Sequence, residues 1–172
     1  MTQSIPESTI GRTAKYLTFN LGGEQYGLEI LKVREIIGIM DITRVPRTPD
    51  FIRGIINLRG KVIPVIDLRK KFTMPTIDDT EQTCIIVVDM LFENNSLLMG
   101  IIVDSVSEVL DIDTDEIDST PMFGSSVTTD FIQGIAKTKG GVKILLNIEK
   151  VLTTNEILTL PHVTVEEALT NQ

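Results

Sequence analysis

The chain has 172 residues, and its 42% hydrophobic and 23% charged content is typical of a folded globular protein. A chain of this length forms one domain or two small lobes and buries roughly 70% of its unfolded surface. Its formal net charge of -8 repels the phosphates of nucleic acids and anionic lipid head groups, so we expect no nucleic acid partner.

The first residues carry no export signal. Residues 1–15 are mostly polar and are interrupted by Pro6 and Gly11, whereas a signal peptide joins a basic stretch to an apolar one. The longest apolar runs, such as residues 97–103, are far shorter than the ~20 residues that span a bilayer. We therefore expect a cytoplasmic protein with no segment inserted in the membrane.

From Tyr16 onward, short β-branched runs alternate with glycine, asparagine or proline, a pattern typical of strands. In chain order the predicted strands are residues 16–21, 25–30, 33–37, 52–58, 62–67, 83–89, 97–103, 106–110, 132–137 and 142–146. The single cysteine, Cys84, lies in one of these apolar runs and is predicted to be part of the core.

Turns and helices are predicted between these strands. Residues 22–23, 59–60, 93–95 and 139–141 tolerate positive φ and predict hairpin turns. Helices are predicted to be few and short, and they are placed at residues 69–72, 148–152 and 165–169.

An internal repeat is the most informative feature of the sequence. Residues 51–62 align without a gap with residues 131–142, and six of the twelve positions are identical. Residues 27–36 match residues 100–109 in the same order along the chain. Because small closed barrels leave no exposed sheet edges, we predict an all-β protein made of two similar five-stranded lobes.

The repeat also predicts the domain organisation. The polar residues 73–82 are the expected boundary between a first lobe at about residues 15–80 and a second lobe at about residues 81–158. We expect residues 1–14 to form a flexible N-terminal segment and residues 159–172 to form a C-terminal tail.

No catalytic constellation is evident. The single histidine, His162, follows Pro161 beyond both repeats and is predicted to lie on the surface. One histidine and one distant cysteine provide neither the spacing of a zinc site nor a Cys–His pair. No glycine-rich loop opens a helix, so nucleotide binding is not indicated. We therefore expect a protein without catalytic residues, metal or cofactor.

Two acidic clusters, residues 78–81 and 111–116, are predicted to be solvated loops. The second has alternating aspartates like a calcium loop. It lacks the glycine and the glutamate that such a loop requires, so we expect no calcium site.

The strongest polar signal lies in residues 57–69. A structural role is predicted for three residues: Gly60 turns a hairpin, Pro64 marks an edge position that cannot donate to a neighbouring strand, and Asp67 caps the following helix. Arg59 differs, because a guanidinium at a turn is usually solvated but can also offer a fork of donors to a partner. The second repeat has a lysine at the equivalent turn, so we expect a specific role for Arg59 in the first lobe.

A second candidate surface lies on the predicted strand at residues 33–37. Alternation along a strand places Val33, Glu35 and Ile37 on the same face. Either Val33 belongs to the core with Glu35 at its rim, or the face is an exposed apolar strip that docks a partner. The sequence leaves both interpretations open.

Several of these motifs closely resemble the CheW family, the coupling proteins of bacterial chemotaxis. They are residues 26–37, 44–46, 51–55, 57–60, 64–69, 100–104 and 147–150. The resemblance extends from about Tyr16 to Leu158 and shows no clear departure within these motifs. It implies two SH3-like five-stranded β-barrel subdomains with a few short helices.

The resemblance also implies partners. In that family one lobe docks on the regulatory domain of the histidine kinase CheA, and a hydrophobic groove between the lobes takes the cytoplasmic tip of a methyl-accepting chemoreceptor. The adaptor would thus be recruited to membrane-bound receptor arrays. Carried over position by position, the partner-contacting residues are Val33, Glu35 and Arg59, with Gly100 and Val103 flanking the groove. The framework residues around them are Asn57, Gly60, Pro64 and Asp67.

Two alternatives stay open. One is a CheW-like module of another two-component signalling complex, such as a scaffold with a receiver domain. We expect a free-standing adaptor instead, because little sequence follows the second repeat. The other alternative is a small β-barrel enzyme, which would need clustered titratable groups.

Overall fold

The computed structural model describes residues 12–119 and 130–161, and the chain there is mostly β-structure. The strands are β1 (Thr13–Leu21), β2 (Glu24–Glu29), β3 (Val33–Gly38), β4 (Ile52–Leu58), β5 (Lys61–Asp67), β6 (Cys84–Phe92), β7 (Asn95–Val103), β8 (Ser105–Asp113), β9 (Ile117–Asp118), β10 (Ile132–Thr138) and β11 (Gly141–Leu146). The helices are α1 (Leu68–Lys71) and α2 (Thr154–Leu158), with 3-10 turns at Ile30–Lys32, Thr114–Glu116 and Ile148–Lys150. The prediction of an all-β protein with few short helices is confirmed.

All ten predicted strands are present, and the predicted hairpin turns contain residues with positive φ, such as Gly22 at 63° and Asn94 at 67°. Four described elements were not predicted: β9, α2 and the 3-10 turns at Ile30–Lys32 and Thr114–Glu116. Strand β9 has only two residues, and α2 begins at a capping box in which Thr153 and Glu156 exchange hydrogen bonds. His162 and the predicted helix at residues 165–169 lie outside the described residues.

The strands form two mixed sheets in which most neighbouring strands are antiparallel. The six-stranded sheet has the order β8-β1-β2-β11-β10-β9, and the five-stranded sheet has the order β3-β6-β7-β5-β4. These are the two SH3-like subdomains that were predicted. Within the described part of the chain, neither sheet is a closed barrel, since β3 and β8 each pair with a neighbour on one side only.

The division of the chain into two consecutive lobes at residues 73–82 was wrong. Residues 33–103 supply every strand of the five-stranded sheet, whereas the six-stranded sheet combines β1 and β2 with β8 to β11. The chain therefore crosses between the sheets twice, at Ile30–Lys32 and at Asp104. The repeats exchange strands: β1 and β2 of the first repeat join the sheet of the second, while β6 and β7 of the second repeat join the sheet of the first.

The repeat is nevertheless present in the geometry. Strand β5 pairs in parallel with β7, with Val65 opposite Gly100, and β11 pairs in parallel with β2, with Leu145 opposite Gly27. The backbone N–H of Asp67 donates to the carbonyl oxygen of Phe51 at 2.7 Å, and Asn147 donates to Phe131 at the same distance. Equivalent positions of the two repeats thus make equivalent contacts, although each sheet contains strands from both repeats.

Hydrophobic side chains of the described residues pack in three clusters. The main core lies between the sheets and includes a stack of aromatic rings in which Phe72 and Phe131 are 4.9 Å apart. Along β6, Ile86, Val88 and Met90 face this core, whereas Ile85 and Val87 face a smaller cluster within the five-stranded sheet. Cys84 is half-buried at the start of β6 and packs against the main core.

Pro64 does not stand on an edge strand as predicted. Its strand, β5, lies between β4 and β7. The parallel pairing with β7 begins only at Val65, so Pro64 precedes the residues that pair on that side. Pro64 has no backbone N–H to donate. The interior strand tolerates this loss because its pairing with the second neighbouring strand, β7, begins only at the next residue.

Other expected boundaries also shift. Residues 111–116 are not a loop: Asp111 and Asp113 end β8, and the backbone N–H of Asp113 donates to Glu116 Oε1 at 2.9 Å where the chain turns. The expected flexible segment at residues 1–14 overlaps β1, which begins at Thr13. The expected C-terminal tail from residue 159 includes Leu160, which is 3% exposed in the main core.

Candidate partner-binding site

The turn between β4 and β5 presents Arg59 to solvent. Arg59 and Gly60 have φ values of 53° and 86°, as a tight hairpin turn requires. Asn57 holds the turn, since its Oδ1 accepts a hydrogen bond from the backbone N–H of Gly60 at 2.9 Å. The Arg59 side chain is 70% exposed, so most of its donors are accessible.

Arg59 forms an ion pair with Glu35 of strand β3. The pair borders a surface depression of about 260 Å³ whose other lining residues are Arg34, Leu58, Lys61, Ile63, Val87 and Leu98. Ile63 and Val87 belong to the small hydrophobic cluster of the five-stranded sheet. The depression therefore has an apolar floor and a charged rim, the arrangement found in many protein interfaces.

Val33, Glu35 and Ile37 do not share one environment. The pairing of β3 with β6 shifts register between Val33 and Glu35. A bulge of this kind turns the strand, so Val33 packs against the main core while Ile37 packs against the small cluster. Of the two interpretations left open by the sequence, Val33 as a core residue with Glu35 at a rim agrees with these contacts.

Gly100 and Val103 do not line the depression beside the Glu35–Arg59 pair. Both belong to β7, and Val103 is 1% exposed in the main core. A Cβ atom at Gly100 would stand 2.8 Å from Ile85 Cγ2 and 3.4 Å from Val65 Cγ2. Both residues are thus covered by neighbouring side chains, and their place beside a groove between the lobes stays a prediction.

Asp67, the last residue of β5, holds the local framework. Its Oδ1 accepts hydrogen bonds from the backbone N–H of Arg69 at 3.0 Å and of Lys70 at 3.4 Å, which caps α1 as predicted. Its Oδ2 accepts from Arg53 Nη1 at 3.2 Å. Arg53 also donates to both oxygens of Asp79, which ties the loop after α1 to β4.

Exposed apolar side chains mark further surface that the sequence reasoning missed. Leu31 is 89% exposed in the first crossover link, and Leu91 is 62% exposed near the end of β6. Ile36 and Val109 are 41% and 49% exposed on the edge strands β3 and β8. The internal repeat gave a sequence signal for the last two residues, because the alignment of residues 27–36 with residues 100–109 matches Ile36 with Val109.

A crevice of about 240 Å³ opens beside the first crossover link. Its lining residues are Leu28, Glu29, Lys32, Gln133, Leu146, Asn147, Ile148 and Glu149. Glu149 Oε2 accepts hydrogen bonds from Lys32 Nζ at 2.7 Å and from the backbone N–H of Leu91 at 3.0 Å. The exposed side chains of Leu31 and Leu91 thus belong to the two segments that meet at this carboxylate.

The carboxylates of Asp104 and Glu149 are expected to make stability depend on pH. The hydrogen bond from Arg69 lowers the pKa of Asp104 below its ordinary 3.8. Burial alone would raise the pKa of Glu149, but hydrogen bonds from Lys32 and from the Leu91 backbone outweigh burial and lower that pKa below 4.5. A carboxyl group with a depressed folded-state pKa stabilises the fold fully above its unfolded pKa, and this contribution is lost as pH falls through the folded value.

We therefore expect the urea midpoint to stay level from neutral pH down to about pH 5 and to fall below that. Asp104→Asn should flatten part of the fall, which urea titrations at a series of pH values would measure. An unchanged slope below pH 5 in this variant would contradict the assignment to Asp104.

Among the described residues, neither a cluster of metal-ligating side chains nor a long apolar helix is present. Between residues 12 and 119 and between 130 and 161, no group of three or more His, Cys, Asp or Glu side chains is placed to hold an ion. No helix in these ranges has the length and apolar character needed to cross a bilayer.

Comparison with known proteins decides the family. A family model described as CheW-like domain matches residues 15–156. The chain belongs to the CheW-like family. The Chemotaxis protein CheW of Klebsiella aerogenes is 39% identical to this CheW-like chain over 155 residues, which is 90% of each protein. That of Treponema pallidum is 28% identical over 158 residues, covering 91% of this chain and 92% of that protein.

A solved structure agrees with the fold. The crystal structure of scaffolding protein TtCheW from Thermoanaerobacter tengcongensis superposes with a TM-score of 0.74 at 39% identity, covering 84% of this chain and 96% of that one. The resemblance to CheW predicted from the sequence motifs is confirmed, and the pair of SH3-like subdomains is the CheW-like architecture.

Proposed function

We propose that this CheW-like protein is a non-catalytic scaffold of chemotaxis that couples the histidine kinase CheA to the cytoplasmic tips of methyl-accepting chemoreceptors. The observation that carries the proposal is the Glu35–Arg59 pair on the rim of an apolar depression. A guanidinium that is 70% exposed has donors left for a partner, and the apolar floor beside it gains from being covered. The names of the relatives, chemotaxis and scaffolding proteins, support the same role.

We assign the regulatory domain of the kinase to the depression beside Arg59. Strand β3 is an edge strand of the five-stranded sheet, and Ile36 adds an exposed apolar side chain there. An edge strand with apolar side chains suits a partner domain of similar β-structure.

We assign the receptor tip to the crevice beside the first crossover link. Leu31 precedes Lys32 of the crevice lining, and the backbone of Leu91 bonds to Glu149 of that lining, so both place exposed apolar side chains near it. Such apolar surface suits the apolar face of a helical hairpin. In this arrangement the scaffold moves from the cytoplasm to membrane-bound receptor arrays. A small receptor movement then shifts the conformational equilibrium of the kinase that the scaffold holds beside it.

Arg59→Ala is expected to weaken kinase binding by about ten-fold, since a charge-assisted hydrogen bond is lost. Isothermal titration calorimetry with the kinase's regulatory domain would measure the loss. The thermal unfolding midpoint should stay near that of the wild type, because the Arg59 side chain is largely solvated. Lys139→Ala at the equivalent turn of the second repeat is the matched control and should bind like the wild type.

Leu31→Asp tests the other surface. It should reduce co-sedimentation with receptor fragments and leave kinase binding unchanged. If the wild-type protein bound neither partner, the proposed coupling would be wrong.

For the Arg59→Ala variant, a large drop in the thermal unfolding midpoint would show instead that Arg59 has a structural role.

A further inference from the structure

Each crossover link between the sheets is held by an ion pair. Lys32 of the first link contacts Glu149 at 2.7 Å, and Asp104, which forms the second link, contacts Arg69 at 2.8 Å. The guanidinium of Arg69 donates to both oxygens of Asp104 through Nε and Nη2. All four side chains are partly buried, with at most 32% of any one exposed. We call these two contacts the junction pairs.

The junction pairs lie at corresponding links with inverted charge. Arg69 lies two residues after the capping residue Asp67, and Glu149 lies two residues after the capping residue Asn147. Their partners, Asp104 and Lys32, both lie in the link that leads to an edge strand of the other sheet, one residue out of register in the repeat alignment. The position after the cap therefore holds a cation in the first repeat and an anion in the second, and the link that contacts it carries the opposite charge.

This division of charge extends beyond the junction pairs. Taking residues 13–72 as the first repeat and residues 84–158 as the second, five ion pairs between described residues join the repeats. They are Lys15–Asp111, Lys32–Glu149, Arg34–Asp89, Arg69–Asp104 and Lys71–Glu156. In all five the cation belongs to the first repeat and the anion to the second.

The strand pattern alone does not dictate the exchange. Apart from β9, every strand of one repeat has a counterpart in the other, so β2 has an alternative partner in β5 of its own repeat, and β7 has one in β11. In that unexchanged arrangement Lys32 would face Arg69, and Asp104 would face Glu149. The same like charges would meet if identical repeats of two chains paired with each other.

We infer that the division of charge between the repeats selects the exchanged fold, so that the first repeat pairs with the second and not with itself or with the same repeat of another copy. Opposite charges stabilise the native junctions, and like charges in a partly desolvated junction disfavour the alternatives. This selection concerns assembly of the chain and is independent of what its surface binds.

The test is to invert one junction pair in the full chain. R69E/D104R keeps an ion pair in the native fold, but the acidic side chain at position 69 becomes a partner for Lys32 within the first repeat. The basic side chain at position 104 likewise becomes a partner for Glu149 within the second. We expect refolding from urea to give a several-fold larger share of dimers and larger species, measured by size-exclusion chromatography with light scattering.

Inverting both junction pairs restores like charges within each repeat at the two junctions, while the three other ion pairs between the repeats stay unchanged. K32E/E149K/R69E/D104R is expected to refold to monomer in the yield of the wild type. K137D/D118K, which inverts an ion pair within the second repeat, is the control and should also refold normally. The inference is overturned if R69E/D104R refolds like the wild type. It is also overturned if the fourfold variant misassembles as much as the single inversion, because the effect would then be local packing.

Discussion

Gly54→Ala is expected to lower the free energy of unfolding by roughly 3 kcal/mol or more. Gly54 has a φ of 150°, where a side chain is strained. A Cβ atom there would stand 2.1 Å from the carbonyl oxygen of Thr43 and 2.8 Å from Ile42 Cγ2. The Thr43 oxygen cannot withdraw easily, because it accepts a hydrogen bond from the backbone N–H of Ile55 at 2.9 Å.

Urea unfolding followed by circular dichroism would measure this loss. Gly38→Ala is the matched control, since Gly38 lies on a strand of the same sheet and a Cβ atom there meets nothing within 4 Å. The control should change the free energy of unfolding by less than about 0.5 kcal/mol. If both variants were equally stable, the close approach at Thr43 would not be a constraint on position 54.

Asp67→Ala is expected to destabilise the fold by about 3 kcal/mol, from two contributions. Loss of the cap of α1 accounts for about 1 kcal/mol. The remainder comes from Arg53, which loses the charged partner on one side of its guanidinium while its side chain stays only 25% exposed. The Asp67 side chain is itself only 9% exposed, so water does not readily replace it.

The chain provides the conservative comparison for this variant. Asn147 occupies the equivalent place and caps the 3-10 turn at Ile148–Lys150 through its Oδ1. Asp67→Asn should therefore keep the cap and lose less than half as much stability as Asp67→Ala in the same urea titration. Equal losses in the two variants would show that the charge of Asp67 matters and the cap does not.

Local features of the fold were predictable from the sequence. Strands and hairpin turns depend on residues near one another, such as Gly22 and Gly23 or the β-branched run that became β6. The repeat was also visible as aligned residues. Which strands pair is a long-range property, however, and two consecutive lobes or two exchanged repeats are compatible with the same local pattern. The charges that distinguish them, such as Lys32 and Glu149, lie 117 residues apart.

The candidate site was also predictable only where it depends on residues close together in the sequence. Arg59 was singled out because a guanidinium at a local turn can offer donors to a partner, and Glu35 because alternation places it on one strand face with Val33. Their ion pair joins a turn to a distant strand and could not be predicted from spacing. Gly100 and Val103 were placed at a groove by resemblance, and their burial in a central strand depends on long-range pairing.

The two crossovers limit how one subdomain can move against the other. A pair of domains joined by one linker can twist and swing about that single point. Here two separate links, at Ile30–Lys32 and at Asp104, join the two sheets. The one rotation that two such links leave easy is a hinge motion about the line that connects them. The shared core opposes even this rotation. We therefore expect the two sheets to turn together as one stiff body, so that a rotation imposed on one sheet also rotates the other.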